Sequence, residues 1–397
     1  MSVIGIIAEY NPFHSGHAYH IRQAREALGG DASVLCVMSG NWVQRGDAAI
    51  ADKWQRAAMA LRGGADLVLE LPTPWATASA EGFARGAVQI LKGSGIVNVL
   101  SFGSESGDAA PLRAVAECLD TEDYRAALQA HLQKGLSFPV ARQRAATALL
   151  GAEAACLQSP NNNLGIEYLR ALRALDCEME VLTVCRRGGA HDSEIPEGGH
   201  ASASYLRKTL LSGETSLSLL PYLSAEDGEA LAAAEFSSLS FAERAVFARL
   251  RAMSAEDFLT LPDCGEGLHH LLARAALESE SLEALYDGVK SKRYTHARIR
   301  RLVLYAFLGL HAADRPEAPP YLRVLGMNAR GKALLAKMRK RATLPILTKP
   351  SHSKRLDAEA QALFALEARC TALYALCRTD FGSGSNKNEF NSNPVIL

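Results

Sequence analysis

The stretch Ile4–His20, IGIIAEYNPFHSGHAYH, constrains the fold more than any other part of the chain. A short apolar run, Val3 to Ala8, reads as a buried strand. A polar turn follows, Glu9-Tyr10-Asn11-Pro12-Phe13, and His14-Ser15-Gly16-His17 then opens a helical pattern from Ala18 to Leu28. Strand, tight turn and helix start in that order make an anion site. The first N–H groups of a helix have no internal partner, and the helix dipole favours negative charge beside them. Gly16 lets backbone approach a ligand closely. Two histidines three residues apart, flanking that glycine, can face one bound phosphate chain. Imidazole donates to phosphate oxygens and, when protonated, offsets charge on a leaving pyrophosphate. H-x-G-H is short enough to arise by chance, and a satisfied surface pair or a zinc pair also fits it. Its place directly after the first strand favours nucleotide binding, and no cysteine or carboxylate cluster lies nearby to complete a zinc site.

The next hundred residues alternate in the same rhythm. Ala32–Met38, Ala65–Leu71 and Val97–Phe102 read as strands, with helical patterns over Asp52–Leu61 and Ser79–Leu91. This predicts an α/β fold, a Rossmann-like parallel sheet with helices on both faces, whose ligands bind beyond the C-terminal strand ends. The polar clusters fall just after strands. Ser39–Asp47 is either a loop over the site, with Gln44 or Arg45 meeting substrate, or an ordinary surface loop. Asp52, Lys53 and Arg56 reach the cleft or form a solvated helix face. Asp66 and Glu70 invite a general-base reading, but capping and helix orientation fit them better. Gly103 ends a strand where a flat base or ribose can lie on backbone. Residues 106–158 read as an alanine-rich helical insertion. Asn161-Asn162-Asn163 precede a helix, where one asparagine serves as a cap and three exceed that need. Met179–Arg186 is a further strand, ending in arginines near glycines, as suits a phosphate. Ser202 is a helix cap with Ser204 and Arg207 at offsets that add a hydroxyl and a charge.

These motifs together resemble one family. EYNPFHxGH is similar to the signature of the HIGH-motif nucleotidyltransferase superfamily, and in this form to that of bacterial tRNA(Met) cytidine acetate ligases. Segments similar to that family's SGxxVQRG, GADLVxELP, SPNNxLGxEY and ISSTxIR follow in order, with KRYTxxRxRR and RVLGxNxxG later. The resemblance implies an enzyme that uses ATP, expected with Mg2+, to activate acetate and acetylate the wobble cytidine of elongator tRNA(Met). His14 and His17 are then catalytic. The ATP site would take in Ile7, Ala8, Glu9, Tyr10, Asn11, Pro12, Phe13, Ser15, Gly16, Ala18, Tyr19 and His20 around them. It would add Gly103, Asn162 (with Asn161 as the alternative), Arg186 (with Arg187 as the alternative), Ser202, Ser204 and Arg207. The family pattern KRxxxxYHD is matched imperfectly, with cysteine for lysine and one residue fewer before His191. No metal-ligand set is read in the chain.

The formal net charge is zero over 397 residues, which by itself suggests no polyanion partner. The average misleads. Residues 216–286 hold twelve acidic and four basic side chains, whereas 287–355 hold seventeen Lys/Arg and three Asp/Glu. With Tyr294 and Tyr305 interleaved as exposed aromatics, that zone suits an RNA backbone and stacked bases, through Lys290, Lys292, Arg293, Arg298, Arg300 and Arg301. The expected organisation is a catalytic domain over 1–215, a mostly α-helical basic domain over 216–380, and a flexible Gly/Ser/Asn-rich tail over 381–397. Eight cysteines without a CxxC pair read as reduced thiols of a cytoplasmic protein. No leader is read at the start, and no apolar run reaches the ~18 residues of a membrane helix. Two rival readings stay open. One is a nucleotidyltransferase acting on a small phosphorylated metabolite, which the basic half disfavours. The other is an RNA-binding protein with a vestigial pocket, which the intact histidine pair disfavours.

Overall fold

The computed structural model describes residues 2–186, 201–212, 219, 221–232, 235–265, 267–379 and 388–397. The first half runs β1 (Val3–Ala8), α1 (Ser15–Ala27), β2 (Ser33–Ser39), the short pair β3 (Trp42–Val43) and β4 (Asp47–Ala48), α2 (Lys53–Arg62) and β5 (Leu67–Leu71). Then come α3 (Thr73–Ala76), α4 (Ala80–Gly93), β6 (Val99–Ser104), the insertion helices α5 (Ala110–Cys118), α6 (Glu122–Gln133) and α7 (Phe138–Leu150), α8 (Pro160–Ala174), β7 (Glu180–Cys185) and α9 (Ala203–Leu211). Beyond lie α10 (Ala225–Ala232), α11 (Glu243–Arg251), α12 (Ala255–Leu259), α13 (Leu268–Glu278), α14 (Leu282–Val289) and α15 (His296–Leu308). The chain ends with β8 (Leu322–Met327), α16 (Ala329–Arg341), β9 (Ile346–Leu347), α17 (Ala358–Tyr374) and β10 (Val395–Ile396).

The main sheet has the order β10-β8-β5-β2-β1-β6-β7, with β9 beside β8. The expected parallel core is present: β1 pairs in parallel with β2 and β6, β2 with β5, and β6 with β7. The β2 sequence SVLCVMS is buried throughout because the sheet is covered on both faces. Val34, Cys36 and Met38 join Ile4 and Ile6 on one face, while Leu35 and Val37 join Leu67 and Leu69 on the other.

Three expectations are corrected. First, the C-terminal half, mostly helical as expected, also supplies strands to the sheet. β8 runs antiparallel to β5, and the sheet gains β10 beyond it. Helices α11 to α15 and α17 share a single hydrophobic cluster with the sheet. Tyr305 Oη donates to the Thr77 carbonyl, Trp42 Nε1 to that of Cys370, and Tyr374 Oη to that of Ala49. Second, the tail is not flexible over 388–397. There Val395 and Ile396 pair with Gly326 and Met327, and Glu389 is buried; residues 381–387 lie outside the described ones. Third, Lys53 and Arg56 neither reach the cleft nor face solvent. Lys53 Nζ donates to Glu70 and Glu389, each at 2.6 Å. Arg56 gives its N–H groups to the carbonyls of Glu9, Ser39, Gly40 and Ala51. Asp66 is structural as well, accepting from Arg25 and from the Val34 N–H.

Candidate active site

The C-terminal ends of β1, β6 and β7 open into a cavity of about 830 Å³. Its floor is Ile7, Ala8, Glu9, Tyr10 and Asn11, then His14, Gly16, His17, Tyr19 and His20 of α1. Four residues of the predicted span do not line it. Pro12, Phe13, Ser15 and Ala18 shape the turn and the helix instead, with Phe13 buried in edge contact with the Tyr10 ring, their centroids 4.9 Å apart.

The histidine pair builds the start of α1. The helix begins at Ser15 rather than Ala18, because His14 is its N-cap. The Gly16 N–H donates to His14 Nδ1 (3.1 Å), and the His14 N–H donates to His17 Nδ1 (3.2 Å). This is a capping box made by imidazoles in place of serine and glutamate. A ring nitrogen that accepts a hydrogen bond carries no proton, so in this geometry each ring holds its proton on Nε2. The rings lie 3.8 Å apart, with Tyr10 edge-on to His17 at 4.8 Å. The helix terminus adds a positive field at this point.

His20 extends the row by one turn. Its Nε2 is 2.9 Å from Ser101 Oγ, and burial, with the Arg186 charge second, pushes it down to about 4. It is neutral at physiological pH. Gly103 lines the cavity, and a Cβ there would lie 3.2 Å from Arg186 Cγ, so glycine keeps this strand end low beside that arginine. Arg186 lines the cavity; Arg187, His191 and Asp192 lie outside the described residues. The asparagines divide. Asn162 does not line the cavity: it is buried, and its Oδ1 accepts the Glu105 N–H. Asn161 and Asn163 line it, and Asn163 Oδ1 is buried with no hydrogen-bond donor among the described residues. All three fall in the first turn of α8, after a cap at Ser159.

The second motif faces the first. Ser202 caps α9, accepting the Tyr205 N–H, and Ser202, Ser204 and Arg207 line the cavity. Arg207 Nη1 donates to the Asn11 carbonyl (2.7 Å) and Nη2 to Ser204 Oγ (3.1 Å). The arginine thus ties the α9 terminus to the turn before α1, so two helix N-termini bound one space.

The outer walls come from distant segments. Gln44 and Arg45 line one side. Gly46, at φ +77°, sits where a Cβ would meet the Arg300–Arg301 backbone at 2.6 Å, so this loop lies directly on α15. Arg293, Arg298 and Arg301 line the cavity, while Lys290, Lys292 and Arg300 do not; Arg300 pairs with Glu283 at 2.9 Å. The basic zone is therefore split. α16 starts against Asp66 and ends with its Arg341 carbonyl against Gly95, both at the N-terminal ends of strands, the opposite edge from the cavity. The expected exposed aromatics are buried, Tyr294 at 5% and Tyr305 at 1%; the exposed ring at the cavity mouth is Phe138, at 53%. Phe138, Arg142 and Gln143 of α7 were not read from the sequence, where only helical pattern marks them. Among the described residues no group of three or more His, Cys, Asp or Glu could hold a metal ion, and no helix is long and apolar enough to cross a membrane.

The chain is similar in sequence and fold to known proteins. The profile of the HIGH nucleotidyl transferase family matches residues 1–389. A tRNA(Met) cytidine acetate ligase of Syntrophotalea carbinolica is 40% identical, covering 100% of this chain and 99% of that one. One from Acetivibrio thermocellus is 37% identical over the full length of both. Among solved structures, apo Thermotoga maritima TmcAL superposes with a TM-score of 0.94 at 31% identity, and its alpha-thio ATP complex with 0.91, each covering 100% of both chains. The histidine-capped α1, the facing α9 terminus and these full-length matches agree: the chain belongs to the HIGH nucleotidyl transferase family and, within it, to the tRNA(Met) cytidine acetate ligases.

Proposed function

We propose that this protein is an ATP-dependent acetate ligase that forms N4-acetylcytidine at the wobble position of elongator tRNA(Met), in the cytoplasm. The observation that carries the reading is a single cavity bounded both by two helix N-termini with the His14–His17 pair and by the arginines of α15. A nucleotidyltransferase of a small metabolite has no use for the second wall, and a vestigial pocket has no use for the first.

In this reading the triphosphate lies across the α1 and α9 termini. Acetate attacks the α-phosphate, giving acetyl-adenylate and pyrophosphate, and the cytidine amine then attacks the acetyl carbon. The Nε2–H groups of His14 and His17 donate to phosphate oxygens as charge builds on the leaving group. Arg186 and Arg207 hold the nucleotide, Gly103 supplies the backbone surface for its base or ribose, and Arg293, Arg298 and Arg301 take RNA phosphates at the mouth. Among the described residues no carboxylates form a metal cage; the Mg2+ expected would be held by the triphosphate, where it would neutralise phosphate charge. Mass spectrometry of tRNA incubated with the protein, ATP and isotope-labelled acetate tests the reading. One labelled acetyl group on the anticodon cytidine is expected; unlabelled tRNA, or label that appears without ATP, overturns it.

A further inference from the structure

Two polar side chains that line the cavity have no chemical role in the acetate-activating step as given above. Glu9 follows β1. Its carbonyl accepts from Arg56 Nη1 (2.6 Å), and its Oε1 accepts the backbone N–H of Gln44 (2.7 Å). Both residues line the cavity. Held in this way, Glu9 keeps its second oxygen, Oε2, without a hydrogen-bond donor among the described residues. Gln44 has the opposite deficit: its side-chain Nε2 is buried and has no acceptor. A buried amide NH2 left unmatched is costly, so an acceptor from outside is the natural complement. One open acceptor and one open donor thus lie on residues tied together by the hydrogen bond from the Gln44 backbone N–H to the Glu9 carboxylate.

We propose that Glu9 and Gln44 form the subsite that reads the Watson–Crick edge of the acceptor cytosine; this rests on the cytidine-acetylating reading above. Cytosine offers the matching set, an amino donor at N4 beside acceptors at N3 and O2. N4–H donates to Glu9 Oε2, and Gln44 Nε2–H donates to N3 or O2. Uracil carries an acceptor at O4 and a donor at N3, so its O4 would meet a carboxylate and the pair rejects it. A carboxylate in this place also repels acetate and phosphorylated acceptors, which keeps the position for a neutral amine. In the second step the N4 lone pair forms the C–N bond to the acetyl carbon. The C–O bond to the adenylate phosphate breaks, AMP leaves with that electron pair, and the N4 proton passes to Glu9 Oε2.

Two half-reactions separate the alternatives: acetate-dependent ATP–pyrophosphate exchange without tRNA, and transfer of acetyl to tRNA transcripts carrying cytidine or uridine at the wobble position. Glu9→Gln keeps an acceptor for the Gln44 N–H and so is expected to fold, which thermal melting checks. Its transfer rate should fall at least ~10²-fold further than its exchange rate, the size of a lost general base. Gln44→Ala should lower transfer by about 10-fold relative to exchange, the size of one hydrogen bond left unmade on a buried group. In both variants the preference for cytidine over uridine transcripts in competitive binding should narrow. Equal loss of exchange and transfer in Glu9→Gln would move Glu9 into the ATP or magnesium site and overturn the inference while leaving the ligase reading intact. An unaltered cytidine preference in both variants would overturn it too. Wild-type protein with exchange but no transfer to any tRNA would sink the cytidine reading together with this subsite.

Discussion

Replacing Glu389 tests whether the last residues are part of the core. Four charged groups meet there: Lys53 and Arg323, each with a side chain only 1% exposed, face Glu70 and Glu389. Burial opposes every one of these charges. Even so, Lys53 and Arg323 hold the Glu389 carboxyl below its usual range, and Glu389 with Glu70 raises Lys53. Glu367 stands beside them, but burial and then Glu70 push it up to about 8, so it is protonated at neutral pH and does not balance a cation. Burial raises Glu70 as well, with the Lys53 charge opposing that shift, so Glu389 is the carboxylate held most firmly in its charged form against these cations. Glu389→Ala leaves one positive charge in excess inside the protein, which by analogy with other buried pairs destabilises by ~3–5 kcal/mol. Glu389→Gln leaves the same charge in excess and loses the acceptor for Arg323, but one amide oxygen can still accept from Lys53 and Thr371, so it should lose less than the alanine variant. The loss also reaches the site, because α2 starts at Lys53 and carries Arg56, which holds the Glu9 carbonyl. Urea unfolding of the three proteins measures the differences. An alanine variant within about 1 kcal/mol of the parent would refute the buried network and the ordered tail with it.

Further outcomes are expected. His17→Ala removes the acceptor of the His14 N–H and should lower stability by ~1 kcal/mol, whereas His17→Gln can still reach back to that N–H; both should lose at least about 10²-fold in acetate-dependent ATP–pyrophosphate exchange, and full activity in the glutamine variant would show that the imidazole only caps. Because the folded Glu367 pKa is raised, its unfolded form binds fewer protons between pH 4.5 and 8, so stability should decline as pH rises through that window; Glu367→Gln should flatten the decline in urea titrations, and an unchanged slope would place the charge elsewhere. Lys292→Glu, Arg293→Glu and Arg301→Glu together should weaken tRNA binding and reduce its salt dependence, while Lys337→Glu, Lys340→Glu and Arg341→Glu on the opposite edge should change binding less than about twofold; equal losses would contradict the split of the basic zone.

What the sequence revealed depended on how local the signal was. The parallel strands and their helices were legible because each is an apolar run or a 3.6-residue pattern several residues long. The histidine-capped start of α1 was legible because a strand, a turn and a helix cap lie within Ile4–His20. Long-range partners were hidden. The run Leu322–Met327 is apolar apart from Arg323, whose charge made it read as part of the basic zone; only its distant partner Glu389 lets that charge be buried. Lys53 and Arg56 looked like cleft or surface cations for the same reason. Charge density told that residues 287–355 are basic, but not that α15 and α16 end on opposite edges of a sheet. Phe138 carries no signal beyond helical pattern, since a phenylalanine on a helix is ordinarily core. The three asparagines stand out in the sequence as a group, while their division between cavity and strand end depends on the phase of α8.

The central claim is that ATP lies across the α1 and α9 termini with both imidazoles on its phosphates. The most direct measurement is a crystal structure of this protein with a non-hydrolysable ATP analogue. The expected result has phosphate oxygens within hydrogen-bond distance of His14 and His17 Nε2 and the base against Gly103. An analogue bound elsewhere, with the His14–His17 cap facing empty solvent, would contradict the account.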